Sequence, residues 1–71
     1  MEINQFIASK IKVLRSEQGL SQEKLALEAG IDRTYLHSIE LGKRNVSVKT
    51  LYKVCLALEI KINLFFNDFN S

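Results

Sequence analysis

The sequence predicts an all-α fold, one small domain of five short helices joined by tight turns. Three observations carry this. The 71 residues contain no Pro and only three Gly, and each Gly falls where a helix would stop. Apolar residues recur at three- and four-residue spacing. Ser21, Asp32 and Ser47 stand just ahead of such runs, where a short polar side chain caps the free backbone N–H groups of a helix.

The first helix is expected from about Asn4 to Gln18. Ile7, Ile11 and Leu14 share one face, Ile3 extends it, and Lys10, Lys12 and Arg15 lie off it. Gly19 suits the left-handed conformation that ends a helix. The second helix, roughly Gln22 to Ala29, has Glu23 in its first turn, where a negative charge favours the dipole. Leu25, Ala26 and Ala29 form its inner face, and Gly30 closes it. The third runs from Arg33 to about Leu41, with Leu36 and Ile39 facing inward and Gly42 stopping it. The fourth extends to about Leu58, and its Leu51, Val54, Cys55 and Leu58 fit the i, i+3, i+4, i+7 template. A fifth is drawn from about Ile62 to Phe69. Lys61 is a poor cap for it, and a strand over Ile60 to Phe66 is the alternative.

Composition bounds the function. With 46% hydrophobic and 25% charged residues the chain reads as a soluble globular protein. The single cysteine, Cys55, permits no internal disulfide and no cysteine-based metal site, which suits a reducing cytoplasm. The opening residues lack a signal-peptide pattern, and no apolar run reaches membrane-spanning length. One His, one Cys, no phosphate-binding Gly-rich loop and no metal-ligand cluster argue against an enzyme and against any metal or cofactor. A net charge of +2 and a pI near 8.9 are weak pointers to nucleic acid, so the placement of the charges matters. A core this small is marginal alone, and pairing with a second copy is a common remedy.

The strongest constellation lies between Gln22 and Leu41. Two helices are separated by Gly30-Ile31-Asp32 alone. Ala26 is small where the helices approach, and Gly30, four residues on, permits a positive φ. Leu36 and Ile39 hold the pair together from inside, and Ile31 plugs the turn. On spacing alone this is a helix-turn-helix or an ordinary helical hairpin of a bundle.

Resemblance narrows the choice. Gly19-Leu20-Ser21-Gln22-Glu23-Lys24-Leu25-Ala26 resembles the start of the helix-turn-helix in the XRE/Cro-type regulators, and Ile39-Glu40-Leu41-Gly42-Lys43-Arg44-Asn45 resembles their stretch after the recognition helix. Asp32-Arg33-Thr34-Tyr35, with Ile39-Glu40 and Arg44-Asn45, is similar to the controller proteins of restriction–modification systems. The likeness spans about residues 7 to 66. It implies a compact five-helix lambda-repressor-like DNA-binding domain over 1–71, working as a homodimer on palindromic operator DNA, with no membrane partner. RNA polymerase would be a further partner if the protein activates. Antitoxins, phage-type repressors and protein-interaction modules share the fold. The family often has Gly where Glu59 stands, Ser or Thr where Lys61 stands, and a small residue where His37 stands.

In such a motif the opening of the third helix enters the major groove. Arg33, Thr34, His37 and Ser38 are the candidate base-reading residues, Arg33 through guanine O6 and N7. Arg33 could otherwise be a solvated cation or pair with Asp32 or Glu28. Ser21, Gln22, Tyr35, Lys43, Arg44, Asn45, Ser47 and Lys49 are the candidates for the DNA backbone, with partial burial as the alternative for Tyr35. Glu40 is expected to bind Arg15 or local N–H groups. Lys10, Lys12 and Lys24 are expected in solvent. Phe66 is expected to close the monomer core. Tyr52, Ile62, Phe65 and Phe69 are the candidate two-fold interface within a dimerisation region at about 52–69, unless all of these pack internally.

Overall fold

The computed structural model describes residues 1–70. It contains α1 (Ile3–Glu17), α2 (Gln22–Ala29), α3 (Arg33–Glu40), α4 (Val48–Ala57) and α5 (Ile62–Phe65). There is no strand among the described residues, so the extended reading of Ile60 to Phe66 falls away. None of these helices is long and apolar enough to cross a membrane.

The helix starts follow the expected chemistry. Ser21 Oγ accepts from Lys24 N–H at 3.0 Å, Asp32 Oδ2 from Thr34 and Tyr35 N–H at 2.9 and 3.3 Å, and Ser47 Oγ from Thr50 N–H at 3.1 Å. Glu2 caps α1 by accepting from Gln5 N–H. Lys61 gives α5 no side-chain bond, and α5 is a single turn of four residues, shorter than the reach to Phe69 expected from sequence. Beyond it the chain continues only in isolated turns, Asn67 N–H to the Leu64 carbonyl and Phe69 N–H to the Phe66 carbonyl.

The core draws on every helix: Phe6, Ile7 and Ile11 from α1, Leu25, Ala26 and Ala29 from α2, Leu36 and Ile39 from α3, Leu51, Val54 and Cys55 from α4, and Phe65 from α5, with Leu58 just past α4. Burial pushes the Cys55 thiol up to about 11, which keeps it a protonated, inert core group at neutral pH. Ile3 departs from expectation. It is 46% exposed, because it opens α1 and Phe6, one turn later, is the residue that meets the C-terminal aromatics.

Those aromatics bring the main correction. Phe65, expected at a two-fold interface, is fully buried and meets Phe6 edge-on at 6.1 Å. Phe66, expected to close the core, is half-buried beside it, stacked on Phe6 at 5.9 Å. Both Leu64 and Phe65 donate their N–H to the Lys61 carbonyl, and this tight turn decides which Phe points inward. Phe69 packs on Phe6 at 4.9 Å and so is largely engaged within the protomer. Nearby, Lys10 is not a free cation. Its Nζ bonds Asp68 at 2.9 Å, clasping the C-terminal turns to α1 and holding the Asp68 carboxyl below its usual range.

The joint after α4 is strained. Glu59 has φ +59°, the left-handed region, in a turn where Ile60 N–H reaches back to the Cys55 carbonyl at 3.0 Å. Gly30 makes the same closure at φ +71°, with Ile31 N–H on the Ala26 carbonyl, without that strain. An L-residue in this region costs about 1–2 kcal/mol, part of which glycine would return through its freer unfolded chain. Glu59→Gly is expected to stabilise by about 1 kcal/mol, raising Tm by about 4–8 °C at fixed protein concentration. A lowered Tm in thermal unfolding would contradict the strain.

Candidate nucleic-acid interface

The α2–α3 corner is built as a helix-turn-helix. Ala26 is 2% exposed at the close approach, Leu36 and Ile39 are buried, and Ile31 is half-buried against the core as the plug of the turn. With Leu36, Ile39 and Glu40 facing inward, the opposite face of α3 must point out. Arg33, Thr34 and His37 are exposed there. Together with Gln22 they line one polar concavity of about 250 Å³. A second, of about 510 Å³, adjoins the N-terminus of α2 and is bounded by Arg15, Ser21, Gln22, Glu23 and Arg33. Free N–H groups and the positive end of the α2 dipole open onto it.

Ser38, the fourth expected base-reader, stands apart. It is half-buried, absent from the concavity, and donates its hydroxyl to the Tyr35 carbonyl at 2.7 Å. A hydroxyl spent on its own helix has no hydrogen left for a base edge.

The expected backbone-contacting residues divide similarly. Ser21 keeps its hydroxyl hydrogen while its oxygen caps α2. Lys43, Arg44, Asn45 and Lys49 are exposed around the α3–α4 joint. Arg44 lies over the ring of half-buried Tyr35, 5.2 Å from its centroid, a cation–π contact that holds both side chains at the edge of the α3 face. Asn45 also accepts from Asn4. Ser47 is engaged, since its hydroxyl caps α4 and bonds Thr50 Oγ1 at 3.0 Å. Gln22 turns its amide inward to Glu40 and His37, leaving one Nε2 hydrogen free.

Behind this face sits a buried carboxylate. Glu40, 4% exposed, accepts from Arg15 Nε at 2.8 Å, Arg15 Nη2 at 2.9 Å and Gln22 Nε2 at 3.0 Å. Arg15 also donates to the Leu20 carbonyl at 2.8 Å, and the hydrogen-bonded Glu40 raises its already high pKa. The ion pair was legible as an option in sequence, whereas the Gln22–His37 contact had no sequence signal.

A second exposed feature lies on α4 and the following joint. Tyr52 and Leu56 are 52% and 59% exposed, one turn apart and off the buried stripe. With Ile60 and Ile62 they line a groove of about 420 Å³. Tyr52 and Ile62 were expected on an interface. Leu56 was missed, although its spacing from Tyr52 on the outer face of α4 was available as a signal.

The HTH_3 family, described as helix-turn-helix, matches residues 11–65. The control protein C.MunI of a Mycoplasma species is 48% identical over 61 residues, covering 84% of this chain and 82% of that protein. Among solved structures, the restriction–modification controller protein C.Esp1396I, as a tetramer in complex with its natural 35-base-pair operator, superposes with a TM-score of 0.88 at 34% identity over 94% of this chain and 88% of that one. The controller protein C.AhdI from Aeromonas hydrophila gives 0.85 at 38% identity, over 89% and 96%.

Removing one partner from the buried ion pair leaves an uncompensated charge. Arg15→Ala or Glu40→Ala is expected to cost about 3–5 kcal/mol in denaturant unfolding, whereas the double change Arg15→Met with Glu40→Leu costs far less. Equal losses in the single and double variants would contradict the coupling.

Proposed function

The chain belongs to the HTH_3 helix-turn-helix family, and from that premise we propose that it is a sequence-specific transcriptional regulator that binds palindromic operator DNA as a homodimer and controls restriction–modification genes. One observation carries the reading: Arg33 and Thr34 open α3 as exposed residues, with His37 one turn on, beside a turn whose half-buried Ile31 fixes their direction. Arg33 offers two parallel donors to guanine O6 and N7, worth about 1–3 kcal/mol of discrimination. Thr34 offers a methyl to thymine or a hydroxyl to an edge. The α2 N-terminus with Ser21, and Lys43, Arg44 and Lys49 on the other side of α3, hold the two phosphate strands and set register. Such contacts make binding strongly salt-dependent. No chemistry is assigned to the site, whose work is recognition.

The controller reading draws on the likeness to C.MunI, C.Esp1396I and C.AhdI. Dimerisation draws on the operator-bound tetramer of C.Esp1396I and on the Tyr52–Leu56 face, whose exposed apolar groove suits a second copy. To read two half-sites one turn of duplex apart, such a dimer needs its two α3 helices about 34 Å from each other.

Arg33→Ala is expected to cut discrimination between a selected palindromic duplex and a scrambled one by about tenfold or more in equilibrium binding while leaving the circular dichroism unchanged. Retained discrimination would refute the role given to α3. Placing a charge in the α4 groove with Leu56→Glu is expected to yield folded monomers by sedimentation and to weaken operator binding at least tenfold, the equivalent of about 1.4 kcal/mol. An unchanged dimer would remove α4 from the interface.

A further inference from the structure

On the DNA reading above rests a finer assignment, because the fold behind α3 controls the hydrogen of one reading side chain. The Glu40 carboxylate only accepts, and it takes Gln22 Nε2 at 3.0 Å alongside two bonds from Arg15. Gln22 must therefore present its NH₂ inward, since its carbonyl oxygen in that place would oppose a carboxylate. The amide is planar, so Oε1 is then fixed toward α3, where His37 Nδ1 lies 3.3 Å away. A carbonyl oxygen has nothing to donate. The contact is a hydrogen bond only if Nδ1 carries the hydrogen.

We infer that the Arg15–Glu40–Gln22 chain holds neutral His37 as its Nδ1–H tautomer, leaving Nε2 an acceptor that reads an exocyclic amino group in the major groove, adenine N6 or cytosine N4. The unconstrained side chain prefers its hydrogen on Nε2 and would present a donor instead, suited to guanine or to thymine O4. Gln22 is thus a positioning residue and His37 a specificity-determining one. His37 is exposed and shares its concavity with Arg33 and Thr34, so its free nitrogen is available to a base.

The chain has one histidine, so two-bond ¹H–¹⁵N spectra of the labelled protein report it alone. At about pH 8.5, where imidazoles are neutral, a protonated Nδ1 and a bare Nε2 are expected. Gln22→Ala, or Gln22→Met if the shorter variant is unstable, reverts to a mixture dominated by Nε2–H. An Nε2–H signal in the unaltered protein overturns the inference whatever the DNA results. The second arm uses a selected duplex and the base pair that His37→Ala ceases to discriminate. Deleting the amino group there, with purine for adenine or 2-pyrimidinone for cytosine, is expected to cost the unaltered protein about five- to tenfold and His37→Ala nothing. Gln22→Ala should lose the same preference, whereas loss of a mere phosphate contact would weaken all sequences equally. Insensitivity to the amino group, or sensitivity to removal of the purine N7 acceptor in its place, overturns the base assignment. Absence of any sequence-selective binding overturns the DNA reading and His37's role in it, while the spectrum still decides the tautomer.

Discussion

The buried Glu40 carboxylate is the constraint around which the rest is arranged. It sits at the end of α3 and is satisfied by Arg15 from α1 and Gln22 from the first position of α2. Burying a carboxylate costs several kcal/mol unless its lone pairs are filled, and here three donors fill them. The cluster acts less as a source of stability than as a register pin. It fixes the end of α3 against α1 while the Gly30-Ile31-Asp32 turn fixes its start against α2. With both ends held and Leu36 and Ile39 in the core, the first turn of α3 can only project.

That geometry separates two surfaces by chemistry. The polar one gathers Arg33, Thr34, His37 and Gln22 beside the N-terminus of α2, with Arg44 and Tyr35 at its edge. The apolar one follows Tyr52 and Leu56 along α4 into Ile60 and Ile62. Base reading needs directional donors and acceptors held on a rigid element, and pairing needs exposed apolar area. The chain obtains both from short helices whose inward faces share one core. The strained Glu59 and the uncapped α5 leave the joint below that apolar surface as the weak point of the monomer.

Much of this was legible in the residues, for reasons of local chemistry. Ser21, Asp32 and Ser47 announce helix starts because a cap acts within three residues. The α2–α3 turn is readable because only certain sizes fit its close approach. Glu59 and Lys61, read as departures from the family, are the residues with positive φ and without a capping bond. What escaped were choices made by tertiary contact. Phe65 and Phe66 are neighbours of identical hydrophobicity that both meet Phe6, and which of them enters the core depends on how the turn at Lys61 seats α5 against α4. Lys10 and Asp68 stand at opposite ends of the chain. Ser38 and Ser47 carry the right hydroxyls for DNA but direct them to the protein. The sense of the Gln22 amide depends on a carboxylate eighteen residues away.

The most direct measurement of the central claim is a titration of the ¹⁵N-labelled protein with a duplex selected from a random pool, followed by amide and side-chain shifts. The largest changes are expected on Ser21 to Glu23 and Arg33 to His37, with a second group from Lys43 to Lys49. Changes confined to the Tyr52–Asn63 region, with the opening of α3 unmoved, would contradict it.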